Sequence, residues 1–406
     1  MSLAASKSPK NIVVVGGGIQ GTSVAFALAE RDFKVTVLEA VRPASAASGK
    51  GGGFMARSWG DGGPTEGLHH VAFDLYETLA PSLGCTSYRK LPVLSVSPGK
   101  SPLDLATKKR HGEMLPSWLD GNLGRVSVMG SGDDTAQITP SEFVEKMLEK
   151  HAGRIHVVKG TCTGVTCTEQ NQVSSVEYSD ENSKACSLIA DTVIVSAGPW
   201  SCAAEDWFDG ALKLPMEGVK STSIVWKKPE SIETVDATAL FCGEDSRFGT
   251  HLEVYPRPNG EIYICGIGGS DYISTEELKQ GAFRNECNAK DARVKAAVAS
   301  FQEMSSTYRQ NGELEKQQAC MRPCPPDAMP YMGAVPGYSG AYINAGHNCW
   351  GIAWAPACGQ AMAELILDGQ SKCVDLSLFD PARFTPAAQR GERGRKRQGT
   401  SVGEQW

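Results

Sequence analysis

Three stretches of the chain concentrate residues whose types and spacing suit a negatively charged ligand. Gly16, Gly18 and Gly21 fall in a G-x-G-x-x-G spacing, and an acid, Glu39, follows eighteen residues after the last of them. Glycines so placed let a diphosphate approach the backbone, and the acid suits ribose hydroxyls. Far downstream, Arg322 stands in "QACMRPCPPD" between Cys320 and Cys324. A guanidinium offers two parallel donors to a carboxylate, the bland alternative being a surface ion pair. Beyond it, "AGHNCWGIAWAPACG" joins His347 to a glycine-rich turn and a run of small residues.

The first stretch carries its own scaffold. Ile12 to Val15 form an all-apolar run, as a central parallel strand requires with both faces covered. Ile19, Val24, Ala27 and Leu28 follow at helical spacing, and a second strand, Lys34 to Leu38, ends at Glu39. Gly16 permits the turn, Gly18 admits the pyrophosphate, and Gly21 lets the helix pack on the strand. The helix N-terminus then meets the phosphate charge. Strand, glycines, helix, strand and acid in that order predict a bound dinucleotide, NAD or FAD rather than NADP. The next segment, "RPASAASGKGGGFMARSW", is a polar, glycine-loaded coil where an NAD dehydrogenase normally has a crossover helix.

With that coil in place, the chain resembles the FAD-binding half of the D-amino-acid oxidase superfamily, in the branch with glycine and sarcosine oxidases. The resemblance implies an α/β architecture: a Rossmann-like FAD-binding domain joined to a discontinuous antiparallel-sheet substrate domain, of the D-amino-acid oxidase (glutathione-reductase-2) type. It implies FAD contacts at Gly16, Gly18, Ile19, Gln20, Gly21, Glu39, Ala40, Ser48, Gly49, Lys50, Gly51 and Gly52. A second contact region is implied at Val165, by backbone to the adenine, and at Ala197, Gly198 and Trp200 in "DTVIVSAGPWS". On this pattern residues 1–85, 136–213 and 320–385 form the FAD-binding domain, and 86–135 with 214–319 the substrate domain.

The middle of the chain supports this order. "PTEGLHHVAFDLYETLAPSLG" reads as a helix with Leu68, Val71, Leu75 and Leu79 on one face, leaving His69 and His70 partly exposed. Leu91 to Ser97 reads as a strand, and from there to Gly132 periodicity is weak. "ITPSEFVEKMLEKHAG" predicts a helix with Thr139 as N-cap, Pro140 in the first turn, Glu142 completing a capping box and Gly153 closing it. "RIHVVKGTCTGVTCTEQNQVSSVEYSD" reads as an antiparallel meander. After Leu214, "EGVKSTSIVWKK", "HLEVYPRPNG" and "EIYICGIGG" read as strands of a larger sheet, with "NAKDARVKAAVASFQEM" an amphipathic helix beyond. In the family this sheet roofs the flavin, which makes His251 and Tyr255 pocket candidates.

The arginine now has a partner chemistry. "CMRPCPPDAMPYMG" resembles the family segment whose arginine grips the substrate carboxylate, and Arg322 matches it. Cys320 matches the position at which sarcosine- and pipecolate-oxidase-like members attach the flavin 8-methyl covalently. Those members follow their cysteine with Met-Tyr, here Met-Arg, and place a carboxylate-binding lysine where Ala353 stands. The loop with Gly346, His347, Asn348, Trp350 and Gly351 resembles the C-terminal flavin loop, whose helix N-terminus faces the charge of the reduced ring. The expected activity is oxidation of the C–N bond of a small amino acid or N-alkyl amine, hydride passing to flavin N5 and dioxygen giving peroxide. Arg322, His347 and Tyr255 are the catalytic candidates. No lysine lies in "ICGIGG", where oxygen-activating members carry one, so a dehydrogenase with another acceptor stays open. So do a 2-hydroxy-acid substrate and a non-catalytic flavoprotein.

Composition narrows the partners. A net charge of −6 over 406 residues disfavours nucleic acid and membrane surfaces. Thirteen scattered cysteines read as free thiols in a reducing compartment, with the cytosol as default. Neither Cys162 with Cys167 nor Cys320 with Cys324 has a second ligand pair at finger spacing, so no metal is expected. No apolar run reaches membrane-spanning length, "MSLAASKSPK" lacks a signal-peptide core, and "GEQW" is no peroxisomal address. The basic run "RGERGRKR" marks residues 386–406 as a disordered tail.

Overall fold

The computed structural model describes residues 9–386, so most of the basic tail and of the N-terminal decapeptide reading lie outside the described residues. Strand β1 (Ile12–Val15) is buried throughout, leads into α1 (Ile19–Ala29), and β2 (Val35–Glu39) returns beside it. The glycine-loaded coil holds one short helix, α2 (Ala47–Lys50), and β3 (Phe54–Ala56). Then come α3 (Glu66–Ser82), β4 (Arg89–Lys90), β5 (Val93–Pro98), α4 (Leu105–His111), β6 (Leu123–Gly130) and β7 (Thr135–Gln137). After α5 (Pro140–Lys150) run β8 (Ile155–Lys159), β9 (Thr161–Cys167), β10 (Val173–Ser179), β11 (Ala185–Ile189) and β12 (Thr192–Val195). Strands β13 (Glu217–Trp226), β14 (Ala239–Cys242), β15 (Glu253–Pro256), β16 (Ile262–Cys265) and β17 (Asp271–Ile273) follow. Helices α6 (Thr275–Lys279), α7 (Asp291–Met304) and α8 (Ser306–Asn311) lead to β18 (Leu314–Cys324). The described chain closes with β19 (Tyr331–Ala334), β20 (Ala341–Ala345) and α9 (Ala355–Asp368).

Two sheets dominate. One has six strands in the order β19-β20-β12-β1-β2-β8, parallel except for β19. The other has eight, in the order β17-β13-β16-β15-β14-β5-β6, with β18 paired to β13 along almost its whole length. Two three-stranded sheets, β11-β10-β9 and β3-β7-β4, complete the mixed α/β fold. In the six-stranded sheet, β1 and β12 are buried at every residue because structure covers both faces. On one side α1 packs against α9, whose small residues Ala357, Gly359, Ala361 and Ala363 are all buried. A Cβ on Gly359 would stand 2.5 Å from the Ser23 carbonyl oxygen, so the run of small residues is what lets these helices touch.

Several expectations need correction. β8 joins the six-stranded sheet parallel to β2, so the meander is β9–β11 alone. The buried face of α3 is Leu68, His69, Ala72, Phe73, Tyr76 and Ala80, rotated from the leucine stripe. The rotation brings Tyr76 Oη 2.7 Å from the Ile352 carbonyl it donates to, and packs the His69 ring edge-on against both Trp350 and Trp354. Thr139 caps α5 without a side-chain bond, and the helix ends at Lys150. Glu142 accepts instead from the amides and hydroxyls of Thr86 and Ser87, tying α5 to the preceding loop. The weakly periodic stretch holds α4 and β6. The boundary drawn at 320 falls inside β18, because pairing with β13 continues to Cys324 opposite Glu217.

Candidate functional site

A cavity of about 1210 Å³ lies between the C-terminal ends of the parallel strands and one face of the eight-stranded sheet. It exceeds the roughly 300–1,000 Å³ of ordinary small-ligand clefts, and its position at the strand ends is where open α/β sheets bind nucleotides. One wall is backbone. Gly16, at φ +107°, lets β1 turn under β12, where a Cβ would stand 2.5 Å from the Ser196 carbonyl oxygen. Gly21 does not line the cavity; a Cβ there would stand 2.0 Å from the Gly16 carbonyl oxygen, so glycine lets α1 pack closely, the role its place in the motif predicts. Glu39 faces the cavity with both carboxylate oxygens engaged, accepting from the Gly17 and Val41 amides at 2.7 and 2.8 Å. Each oxygen retains a lone pair for a ribose hydroxyl.

The second wall is made of side chains. Neighbours on a strand point to opposite faces, so Arg322 and Cys320 share one face of β18. Register carries that face across the sheet: Cys320 lies opposite Ser221 on β13, Tyr263 opposite Tyr255, Cys265 opposite Glu253, and Glu253 opposite Phe241 on β14. All of these line the cavity. The Arg322 guanidinium has no carboxylate within ion-pair distance among the described residues, and its Nε is buried without a partner. Burial works against its charge while Cys349, Cys324, Cys320 and Glu253 favour it, and the balance raises its pKa. Burial pushes the Cys320 thiol up to about 11, so it is protonated at neutral pH.

Three further predicted residues take specific roles. His347 is 2 % exposed with Nε2 unpartnered, and burial pushes its pKa down to about 3. Its ring is therefore neutral and has one nitrogen available to the cavity. Tyr255 donates its hydroxyl to Glu253 at 2.5 Å, and burial holds that phenol protonated, so the hydroxyl of this catalytic candidate is already bound to an acceptor. Gln20 joins α1 to the C-terminal loop, donating to the Gly351 carbonyl at 2.6 Å and accepting from Asn344 at 3.2 Å.

Of the remaining predictions, Gly18, Ile19, Ala40, Ser48, Gly51, Gly52, Ala197, Gly198, Trp200, Gly346, Asn348 and Trp350 reach the cavity. Ser48 Oγ accepts from the Ile19 amide at 2.8 Å and so occupies one free donor of α1. A Cβ on Gly52 would stand 2.5 Å from the Tyr255 ring, which explains why the coil crossing this aromatic floor is glycine. Gly49 and Lys50 do not reach the main cavity; Lys50 Nζ donates to the Ala319 carbonyl at 2.9 Å and pins the coil to β18. Val165 is also outside it, paired with Val176 inside the meander, and Gly160 to Thr163 line the cavity instead. Helix α9 begins at Ala355, four residues past Gly351, after a short 3-10 turn over Asn348–Trp350.

Sequence reasoning missed Glu253, Phe54, Trp59, Phe241, Ser196 and Arg284, all at the cavity. Glu253 was within reach, since it lies two residues before Tyr255 and strand periodicity puts both on one face. Nothing local marks the others. All thirteen cysteines are free thiols, and no described helix is long and apolar enough to cross a membrane. Asp61, Glu66 and His70 bring ligand atoms within 4.8 Å of one another, although no metal was expected; His70 meets Asp61 at 2.6 Å and Glu66 accepts from the Gly62 amide.

The residues present fit a dinucleotide: the backbone cradle admits no Cβ at Gly16, Gly51 or Gly52, and Ser196 Oγ, Asn344 Oδ1, Arg322 Nε and His347 Nε2 are buried polar atoms unpartnered at its wall. Comparison with known proteins agrees. A family model described as DAO, FAD dependent oxidoreductase, matches residues 11–365. A Schizosaccharomyces pombe protein described as a putative oxidoreductase is 26% identical over 402 residues, covering 92% of this chain and 98% of the relative. Glycine oxidase of Pseudomonas putida is 25% identical over 403 residues, covering 94% of this chain and 100% of that enzyme. Among solved structures, L-proline dehydrogenase from P. horikoshii superposes with a TM-score of 0.72 at 18% identity, covering 95% of this chain and 99% of that one.

Proposed function

Because the chain belongs to the DAO family of FAD-dependent oxidoreductases, we propose that it oxidises the C–N bond of a small amino acid or N-alkyl amine to the imine, with dioxygen as final acceptor and hydrogen peroxide as product. The observation that carries this reading is Arg322, a guanidinium at the cavity wall with no acidic partner among the described residues. The backbone from Gly16 to Ile19, Glu39, the coil at Gly51 and Gly52, Ala197 to Trp200 and the loop from Gly346 to Gly351 would hold FAD. When bound, FAD supplies at N5 the acceptor for the hydride leaving the α-carbon.

The protein's own part is positional. Arg322 takes the substrate carboxylate through two parallel N–H donors and so fixes distance and tilt together. The aromatic rings of the second wall exclude water, which favours the neutral amine that hydride loss requires. Neutral His347 offers a single ring N–H or lone pair without adding charge. Cys320 is the candidate for a thioether to the flavin 8-methyl; acid precipitation reads this directly, a yellow pellet supporting attachment and a yellow supernatant excluding it.

A second reading, electron transfer to an acceptor other than dioxygen, is favoured by one observation. Lys279 is the lysine that lines the cavity among the described residues, and it is tied to Glu205 and Asp206 at 2.9 and 3.0 Å. No unpaired ammonium is then offered for oxygen activation. The test is the visible spectrum of the anaerobic holoprotein during addition of amino acids, N-methyl amino acids and 2-hydroxy acids. Bleaching names the substrate class, and readmitting air separates oxidase from dehydrogenase. A flavin band that no member of the panel bleaches would count against the reading.

A further inference from the structure

Glu253 lines the cavity, and binding of a simple amino acid through Arg322 leaves it without a task. It projects from β15, three strand intervals from β18 across β13 and β16. At about 4.8 Å per interval the two strands stand roughly 14 Å apart, and register sets Arg322 about four residues farther along the sheet than Glu253. A long arginine and a shorter glutamate reaching in from the two sides leave a gap of ligand size. The charges still sense one another, Glu253 being among the groups that favour a charged Arg322. Its partners among the described residues are two donors, the Tyr255 hydroxyl at 2.5 Å and the Cys265 thiol at 3.4 Å, both to Oε2. A carboxylate that only accepts, with no partner on Oε1 and no ion pair among the described residues, suits a positive group.

The surroundings define what kind. Phe54 stacks on Tyr255 with centroids 5.5 Å apart, Phe241 meets Trp59 at 5.1 Å, and Trp350 meets Trp59 at 6.4 Å. All five rings line the same cavity. Aromatic faces attract ammonium and especially alkylated ammonium groups. The reacting amine is a poor occupant, because it must be neutral to lose hydride and a carboxylate beside it would keep it protonated.

We propose that Glu253 and this aromatic wall form a subsite for a second, non-reacting cationic nitrogen, so that the preferred substrate is an amino acid whose side chain ends in an ammonium, a methylated ammonium or a guanidinium. The proposal rests on Arg322 holding the substrate carboxylate, and it gives the site two poles. Neutral side chains of equal length then fit but are not selected.

The test uses the holoprotein and ligands with no oxidisable amine. Hexanoate bearing a terminal trimethylammonium is compared with the same acid bearing a tert-butyl group, its neutral isostere. Binding is read by calorimetry and by perturbation of the flavin spectrum. The cationic acid is expected to bind about tenfold tighter or more, because a quaternary ammonium has no N–H and gains instead from the Glu253 charge and the aromatic faces, which its neutral isostere cannot use. Glu253→Gln is expected to abolish the preference while the isostere still binds, and Arg322→Ala to weaken both. Equal binding by the wild type, or a preference that survives Glu253→Gln, overturns the proposal. Should that variant fail to fold, the wild-type isostere comparison decides alone. Because neither probe is oxidised, a selective cation subsite in a protein that no amino acid reduces would remove the oxidation reading and leave this one standing. Reduction without selectivity would do the reverse.

Discussion

Between Gly16 and Glu39 the cavity wall is made largely of backbone; between Arg322 and Glu253 it is made of side chains. The first wall comes from one continuous βαβ unit in which contact depends on what is missing, a Cβ at Gly16 and Gly21. The second is gathered from β18, β13, β16, β15 and β14, spread from residue 217 to residue 324 and brought together only by strand register. A backbone wall holds a ligand common to many enzymes and tolerates little change. A side-chain wall can be rewritten without moving the sheet. The walls should therefore fail differently when altered, the first by losing the cofactor and the second by losing selectivity or rate.

The largest expected effect tests the first wall. Gly16→Val places a β-branched residue at φ +107° with its Cβ 2.5 Å from the Ser196 carbonyl oxygen. Neither conformation nor space allows it, at a cost on the order of several kcal/mol. The variant is expected to purify without a visible flavin band and to melt well below wild type. A yellow variant of normal stability would show that the cradle is looser than its contacts imply. Next comes the second wall. Arg322→Ala should leave the flavin spectrum and melting temperature close to wild type while lowering kcat/KM by roughly 10²–10³-fold, the usual loss for a desolvated charge pair. Loss of flavin instead would make Arg322 part of the cradle and erase the distinction between the walls.

The same contrast explains what the sequence disclosed. β1, α1, β2 and Glu39 were legible because glycine spacing, apolar runs and the acid are local and each has one physical meaning. Arg322 was legible only through resemblance, since one arginine among prolines is also a normal surface residue. Glu253 and the aromatic wall were not legible, because facing a cavity depends on which of two faces each strand turns inward, and register sets that. Val165 does not line the cavity for a related reason: the cavity meets the meander at Gly160 to Thr163, a few residues earlier, where β8 hands over to β9. On α3, hydrophobicity marked the leucines, but Tyr76 and His69 found polar partners in the interior and rotated the helix.

His347 sits where the walls meet, and its effect is smaller and depends on pH. Burial lowers its folded pKa to about 3 from an ordinary 6.5. The unfolded chain therefore binds a proton between pH 6.5 and 3 that the folded protein refuses, and stability rises with pH across that window. The slope is up to about 1.4 kcal/mol per unit. Relative to wild type, His347→Asn should gain roughly 2 kcal/mol of unfolding free energy on going from pH 7 to pH 5. Parallel curves from chemical unfolding at the two pH values would mean that the ring is solvated and titrates normally.

The smallest effect separates a wall from a catalyst. Tyr255→Phe keeps the ring stacked on Phe54 and removes only the hydroxyl that donates to Glu253. If that hydroxyl serves to orient the carboxylate, the change costs about one hydrogen bond, roughly 1 kcal/mol, and kcat/KM falls by less than about tenfold. The loss should be confined to substrates with a cationic side chain and read mainly in KM, because ground state and transition state are held equally. If the hydroxyl instead moves a proton to or from the reacting nitrogen, kcat falls for every substrate, by roughly 10²-fold or more. The hydroxyl is 2.5 Å from an acceptor and burial holds its proton, which favours the first outcome. A uniform fall in kcat would move Tyr255 from the side-chain wall into the chemistry and leave Glu253 as the group that holds it there.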